Sequence, residues 1–253
     1  MQVQPILCLK DNYAYIISDK NFKTVGVIDP SEANPVIQFL KKNDLKLSYI
    51  LNTHHHFDHI GGNIELKKKF NCKIVGFKDD QHRIPGIDIM LKNDEIWTFG
   101  SSKVKIIHIP GHTLGHICFF FEKEKIAFTG DTLFSLGCGR IFEGSHKQML
   151  ESLNKIKNLP KNTKIYCGHE YTYKNAEFCI EHDKDNINLQ EKFKIIKKLR
   201  TENLPTIPTT LEEELKSNIF LRCDHNDLKI KLNMKNREDI EVFTKVRDLK
   251  DSF

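Results

Sequence analysis

Four side chains able to bind a metal ion, those of His54, His56, Asp58 and His59, fall within the stretch Thr53-His54-His55-His56-Phe57-Asp58-His59-Ile60-Gly61-Gly62. Imidazole nitrogens and carboxylate oxygens suit zinc, and they also suit iron or manganese. The stretch follows Tyr49-Ile50-Leu51, an apolar run that reads as a buried strand. While the chain stays extended its side chains alternate, so His54 and His56 share one side and His55 takes the other. A helix is expected from Asn63, and the turn into it swings Asp58 and His59 towards a neighbouring point. Gly61 and Gly62 permit that tight bend. One short segment can therefore offer two ligands to each of two adjacent cations. A histidine-rich tract can equally be an inert surface loop, and the rest of the chain must decide.

Three further segments decide it. Ile109-Pro110-Gly111-His112-Thr113 puts His112 at the end of an expected strand over 103–109. Phe128-Thr129-Gly130-Asp131-Thr132 does the same for Asp131 after 126–129, and Tyr166-Cys167-Gly168-His169-Glu170 for His169 after 164–167. Each places a ligand-type residue beside a glycine, where sites in sheet proteins tend to form. A water between two divalent cations would be hydroxide near neutral pH, since one zinc alone lowers its pKa from roughly 16 to about 7. The chemistry expected is metal-dependent hydrolysis.

The elements that must hold these residues fall into two regions. Strands rich in Ile, Val, Phe and Tyr are predicted over 13–18, 24–28, 47–51, 73–75, 103–109, 117–121, 126–129 and 164–167, with helices over 34–42, 63–70 and 146–157. Pro35 opens the first helix, and Ser145 is expected to cap the third. Beyond Tyr171 the β-branched runs nearly vanish. Helices are expected over 174–182, 187–200, 211–217 and 236–249, punctuated by Pro205 and Pro208. We expect a β-rich α/β catalytic domain over 1–172 and a small helical domain over 173–253.

Composition narrows the partners. The 253 residues include 39 Lys and Arg against 34 Asp and Glu, a net charge of +5 spread along the chain. A nucleic-acid binder would concentrate its cations in a stripe interleaved with aromatics; none is expected here, although a mildly positive field can draw in an anionic substrate. Seven cysteines, an odd number without C-x-x-C spacing, argue against a disulfide framework or a thiolate zinc knuckle. Cys8, Cys118 and Cys167 sit in apolar runs as small buried hydrophobes. No stretch approaches a membrane span, and Met1 to Lys10 lacks the character of a secretory signal. A cytoplasmic monomer, bound neither to membrane nor to nucleic acid, is expected.

The four metal-ligand segments together resemble the metallo-β-lactamase superfamily, whose hallmark is H-x-H-x-D-H followed by a His, a bridging Asp and a last His; all seven positions are present. The resemblance implies an αββα sandwich with His54, His56 and His112 on one metal, Asp58, His59 and His169 on the other, and Asp131 bridging them. The segments THHHFDHIGGN, PGHTLGHICF, FTGDTLFSLGCGR and YCGHEYT are similar to the glyoxalase II family in particular. That family has a helical C-terminal domain, and the likeness covers nearly the whole chain. It implies hydrolysis of S-D-lactoylglutathione by a metal-bridging hydroxide, with Asp58 and Asp131 as the catalytic carboxylates and two divalent ions, zinc first, as cofactors.

For the glutathione thioester, the resemblance implies contacts from Arg140, where Lys is common, Phe142, where Tyr is frequent, Tyr171, and Arg222 in Asn218-Ile219-Phe220-Leu221-Arg222. No lysine follows between Cys223 and Asp227. His55, His108 and His116 are expected to pack or to support ligands, as are Thr53 and Glu170. His82, His146, His182 and His225 read as surface, and Cys138 as structural.

Overall fold

In the computed structural model, which describes residues 1–253, runs that are apolar at every position become inner strands. The chain forms two compact units, Met1–His108 with Gly115–Gly130, and Ile109–Leu114 with Asp131–Phe253.

The first unit holds two sheets. One runs in the order β1 (Gln2–Cys8), β2 (Asn12–Ser18), β3 (Val25–Ile28), β4 (Tyr49–Leu51), β5 (Lys73–Phe77) and β6 (Ile87–Leu91). The pairs β1-β2 and β2-β3 are antiparallel, and the sheet is parallel from β3 onward. Parallel neighbours need crossovers. α1 (Ala33–Lys42) supplies one, while α2 (Phe57–Ile60) and α3 (Asn63–Phe70) lie on the next. Val36, Leu40 and Leu66 of these helices pack into one core cluster with Val25, Val27, Ile50 and Ile74.

The other sheet of this unit is antiparallel, joining β7 (Ile96–Phe99), β8 (Ser102–His108), β9 (Ile117–Phe121) and β10 (Ile126–Gly130). An aromatic seam ties the two sheets: Tyr15 meets Phe128 at 5.5 Å and Tyr49 meets Phe99 at 6.0 Å between ring centroids. β2, β9 and β10 are buried at every position, as expected of strands covered on both faces. Each fully buried phenylalanine contributes about 1.5–3 kcal/mol.

In the second unit a two-residue-stranded hairpin, β11 (Leu133–Phe134) with β12 (Gly137–Cys138), follows Asp131. α4 (His146–Lys157) starts at a capping box in which Ser145 and Gln148 bond each other's backbone, so Ser145 is the cap the sequence predicts. β13 (Lys164–Cys167) pairs with β14 (Thr209–Thr210). The remainder is α5 (Thr172–His182), α6 (Ile187–Thr201), α7 (Leu211–Ser217), α8 (Asn226–Lys231) and α9 (Asp239–Ser252). Phe178, Phe220 and Phe243 form its aromatic core. No helix is long and apolar enough to cross a membrane.

Several elements differ from expectation. β1, β6 and β7 were not predicted, because their exposed and covered positions mix and β1 contains Pro5. The last helix begins at Asp239 rather than 236, where Glu238 forms a capping box with Glu241, and it runs on to Ser252.

Candidate metal centre

The first unit gathers His54, His56, Asp58 and His59 around the end of β4. The chain leaves β4 at Asn52, and α2 makes a single turn that brings Asp58 and His59 back; the His54 ring lies 4.8 Å from His56 and 4.2 Å from His59. Gly61 is required by close approach, since a Cβ there would stand 2.3 Å from the Ser31 carbonyl oxygen. Gly62 N donates to the Pro30 carbonyl at 2.8 Å. The loop after β3 is thereby pressed against the motif, and it delivers Asp29.

Asp29 organises this cluster. It sits at φ 48°, a left-handed conformation that Asp accepts more readily than most residues. Its carboxylate accepts the Thr53 amide at 2.8 Å, the Thr53 hydroxyl at 2.6 Å and His59 Nδ1 at 3.2 Å. Because the Thr53 proton goes to Asp29, the contact between Thr53 Oγ1 and His54 Nδ1 at 3.0 Å has the imidazole donating. Both His54 and His59 thus carry their proton on Nδ1 and keep the Nε2 lone pair for a cation. Asp29, His54 and His59 offer donor atoms within 4.8 Å of one another; with the Asp29 carboxylate taken up by Thr53 and His59, the buried imidazole Nε2 atoms are the ones that fit a divalent ion. Asn12 Nδ2 holds Asp58 by its carboxylate at 3.0 Å and its carbonyl at 3.1 Å.

The second unit gathers His112, Asp131 and His169. Asp131 Oδ2 lies 3.5 Å from His112 Nε2 and 3.2 Å from His169 Nε2, so a carboxylate stands between two imidazoles. His112 Nδ1 donates to the Arg140 carbonyl at 2.7 Å, which again leaves Nε2 as the ligand atom. A Cβ at Gly139 would fall 1.8 Å from the Asp131 carbonyl oxygen, so only glycine lets the hairpin close back on Asp131. At the hairpin turn Leu136 has φ 58°, unfavourable by about 1–2 kcal/mol for a residue with a Cβ. Other contacts must hold that turn.

The predicted substrate contacts divide. Tyr171 stacks on His169 at 4.5 Å and 7°, and Phe142 meets the His112 ring edge-on at 5.2 Å; both are exposed. Arg140 is exposed too, and its guanidinium bonds the Asp251 carboxylate and carbonyl at 3.1 and 3.2 Å. Arg222 differs from expectation. It is buried, and its guanidinium pairs with Asp183 and Asp227, while Lys231 also reaches Asp183 at 2.7 Å.

The remaining residues sort by what they touch. His55 turns away from the ligands to Asp80 at 3.1 Å, and Arg83 closes on the same carboxylate. His116 is buried and stacks on His54 at 4.6 Å, and His108 stacks on Phe77 at 4.7 Å. Glu170 accepts the Thr206 amide and hydroxyl at 2.8 and 2.5 Å. All seven cysteines are free and buried. Burial pushes the Cys138 thiol up to about 11 and the Cys167 thiol up to about 12, so both remain protonated at neutral pH.

Sequence reasoning missed Asp29. The available signal was an acid directly after the apolar run Val25–Ile28, the same relation that singles out Asp131.

The family model for the metallo-beta-lactamase superfamily matches residues 11–169, and that for the hydroxyacylglutathione hydrolase C-terminus matches residues 170–253. Among solved structures, the BLEG-1 B3 metallo-beta-lactamase is 26% identical with a TM-score of 0.67, over 87% of this chain and 99% of its own. ETHE1 from Myxococcus xanthus, 21% identical, shares the fold at a TM-score of 0.71 over 98% of this chain and 90% of its own. The chain has the metallo-β-lactamase fold, an α/β architecture extended by a helical C-terminal region. A hydroxyacylglutathione hydrolase of Pelagibacter ubique is 55% identical over 253 residues, all of both chains. Another, from Methylococcus capsulatus, is 42% identical over 100% of this chain and 99% of its own. With both family models matched and relatives at this identity along its whole length, the chain belongs to the hydroxyacylglutathione hydrolase family of metallo-hydrolases.

Proposed function

We propose that this protein hydrolyses S-D-lactoylglutathione and related 2-hydroxyacylglutathiones to D-lactate and glutathione, the hydrolytic step of methylglyoxal detoxification. His54, His56 and His112 would hold one divalent ion and Asp58, His59 and His169 a second, with Asp131 bridging; zinc suits the donor set, as do iron and manganese. What supports this most is that His54, His59 and His112 each give their Nδ1 proton to an oxygen, which readies Nε2 for a cation.

When bound, divalent ions at these residues would supply Lewis acidity for the attacking water and the carbonyl oxygen. The chain's own groups supply position. Asp58, fixed by Asn12, orients the attacking water by accepting its hydrogen bond, and Asp131 keeps the two imidazoles beside it in register. The leaving thiolate, from a thiol of pKa about 8.5, needs little general-acid help. Arg140, Phe142 and Tyr171 receive the glutathione moiety. Arg222 joins them by exchanging Asp227, whose side chain is 53% exposed, for the glycine carboxylate. Residues 173–253 act as the substrate-binding domain, and the net charge of +5 favours an anionic substrate. Seven free thiols suit a reducing cytoplasm, where the protein works as a monomer.

The test is loss of thioester absorbance with D-lactate release by the purified, metal-loaded protein, run in parallel on lactoyl thioesters of other thiols. Preference for the glutathione thioester is expected. No turnover, or equal turnover of every thiol, would overturn this reading.

A further inference from the structure

Glu214 of α7 is fully buried and its carboxylate is bonded from every side. Oε1 accepts from the Ser135 hydroxyl at 3.1 Å, the Thr209 hydroxyl at 2.8 Å and Lys192 Nζ at 2.5 Å. Oε2 accepts from the Leu136 amide at 2.8 Å and Asn218 Nδ2 at 2.9 Å. Asn218 Nδ2 also donates to the carbonyls of Phe134 and Gly137, at 3.2 and 3.1 Å. Two residues of the helical region therefore grip the β11–β12 hairpin at its turn, where Leu136 holds its left-handed conformation.

The hairpin leads straight to the metal ligands. It begins two residues after Asp131, returns at Gly139, whose amide donates to the Thr132 carbonyl at 3.2 Å, and ends by placing the Arg140 carbonyl on His112 Nδ1. That carbonyl fixes the His112 tautomer and ring direction. The turn is buried, so Glu214 and Asn218 meet its polar groups, and the path they hold in place ends at the carbonyl that meets the imidazole nitrogen.

We propose that Glu214, with Asn218, is a positioning residue for the metal centre, acting through the hairpin to set the Arg140 carbonyl against His112. The helical region then tunes metal affinity as well as covering substrate. This rests on the metal reading above, in which His112 is a ligand.

The test compares Glu214→Gln and Ser135→Ala with the unaltered protein in zinc competition against a chromophoric chelator, alongside hydrogen exchange at the Leu136 amide. Zinc affinity needs no thioester, so a failure of the thioesterase reading shows separately, as unaltered protein that binds zinc without turnover. Glu214→Gln is expected to weaken zinc binding roughly tenfold, the lower end for losing a group that orients a ligand. It should also speed Leu136 exchange and lower kcat more than it raises KM. Ser135→Ala removes one of the contacts and should lower zinc affinity by a smaller factor in the same direction; it decides the matter should Glu214→Gln not fold. Wild-type zinc affinity in the folded variants, above all beside faster exchange at Leu136, would overturn the proposal.

Discussion

The two clusters of candidate ligands, one in each unit, are built on different plans. In the first unit four candidate ligands come from a single stretch, His54 to His59, and one acid from a neighbouring loop, Asp29, sets two of their tautomers. In the second unit the candidate ligands His112, Asp131 and His169 come from three separate segments, and a hairpin carbonyl orients the first of them. The first plan concentrates its vulnerability in one buried carboxylate. The second spreads it along a chain of backbone contacts, so its supporting residues should act in graded fashion.

The comparison breaks most visibly if either cluster proves dispensable. His56→Ala in the first unit and Asp131→Ala in the second should each lower thioester turnover more than about 1,000-fold, the scale of several kcal/mol of lost charge stabilisation. Steady-state assays on the purified variants check this, and near wild-type turnover in either would refute the proposed ligand role of that residue.

Asp29→Asn sharpens the contrast. The amide keeps the shape but loses the charge that draws in the protons of Thr53 and His59. Metal affinity should fall by roughly 10- to 100-fold, read by chelator competition, with a larger loss than that expected of Ser135→Ala. Equal effects would erase the distinction between the two plans.

The smallest effect belongs to the support beneath His55. Burial raises the Asp80 pKa, but hydrogen bonds and charges from His55 and Arg83 outweigh it and leave the carboxyl below its usual range. A group depressed in this way stabilises the fold above the unfolded carboxylate pKa, and that share disappears as pH falls through the lower folded value. Asp80→Asn should therefore cost on the order of 1 kcal/mol at neutral pH, with the gap to wild type closing as the medium is acidified below about pH 4. Urea denaturation across that range measures it; a gap that does not depend on pH would contradict the assignment.

The seven candidate metal-ligand positions stand out in the sequence because each is a ligand-type residue following a strand, and His112, Asp131 and His169 each sit directly after a glycine, where core packing offers no competing reason for them. The supporting residues do not. Asp29-Pro30 reads as an ordinary turn, and only the folded loop reveals that it presses on Gly61 and Gly62. Glu214 lies among Glu212 and Glu213 in a helix whose acidic start looks like a solvated surface. Arg222 was expected to face substrate because its motif suggested so; its partner Asp183 is 39 residues away, a pairing that no local spacing exposes. Strands β6 and β7 were missed for another reason: β6 does alternate, with Ile87, Ile89 and Leu91 covered and Asp88 and Met90 exposed, but runs of 5 and 4 residues are too short to stand out from loops.

The most direct measurement is a titration of metal-stripped protein with zinc, following bound metal per chain and recovered thioesterase turnover in the same sample. Two zinc ions per chain, with full turnover reached only as both sites fill, is the expected result. Saturation at a single ion, or turnover in the stripped protein that zinc does not raise, would contradict the proposed two-ion hydrolase.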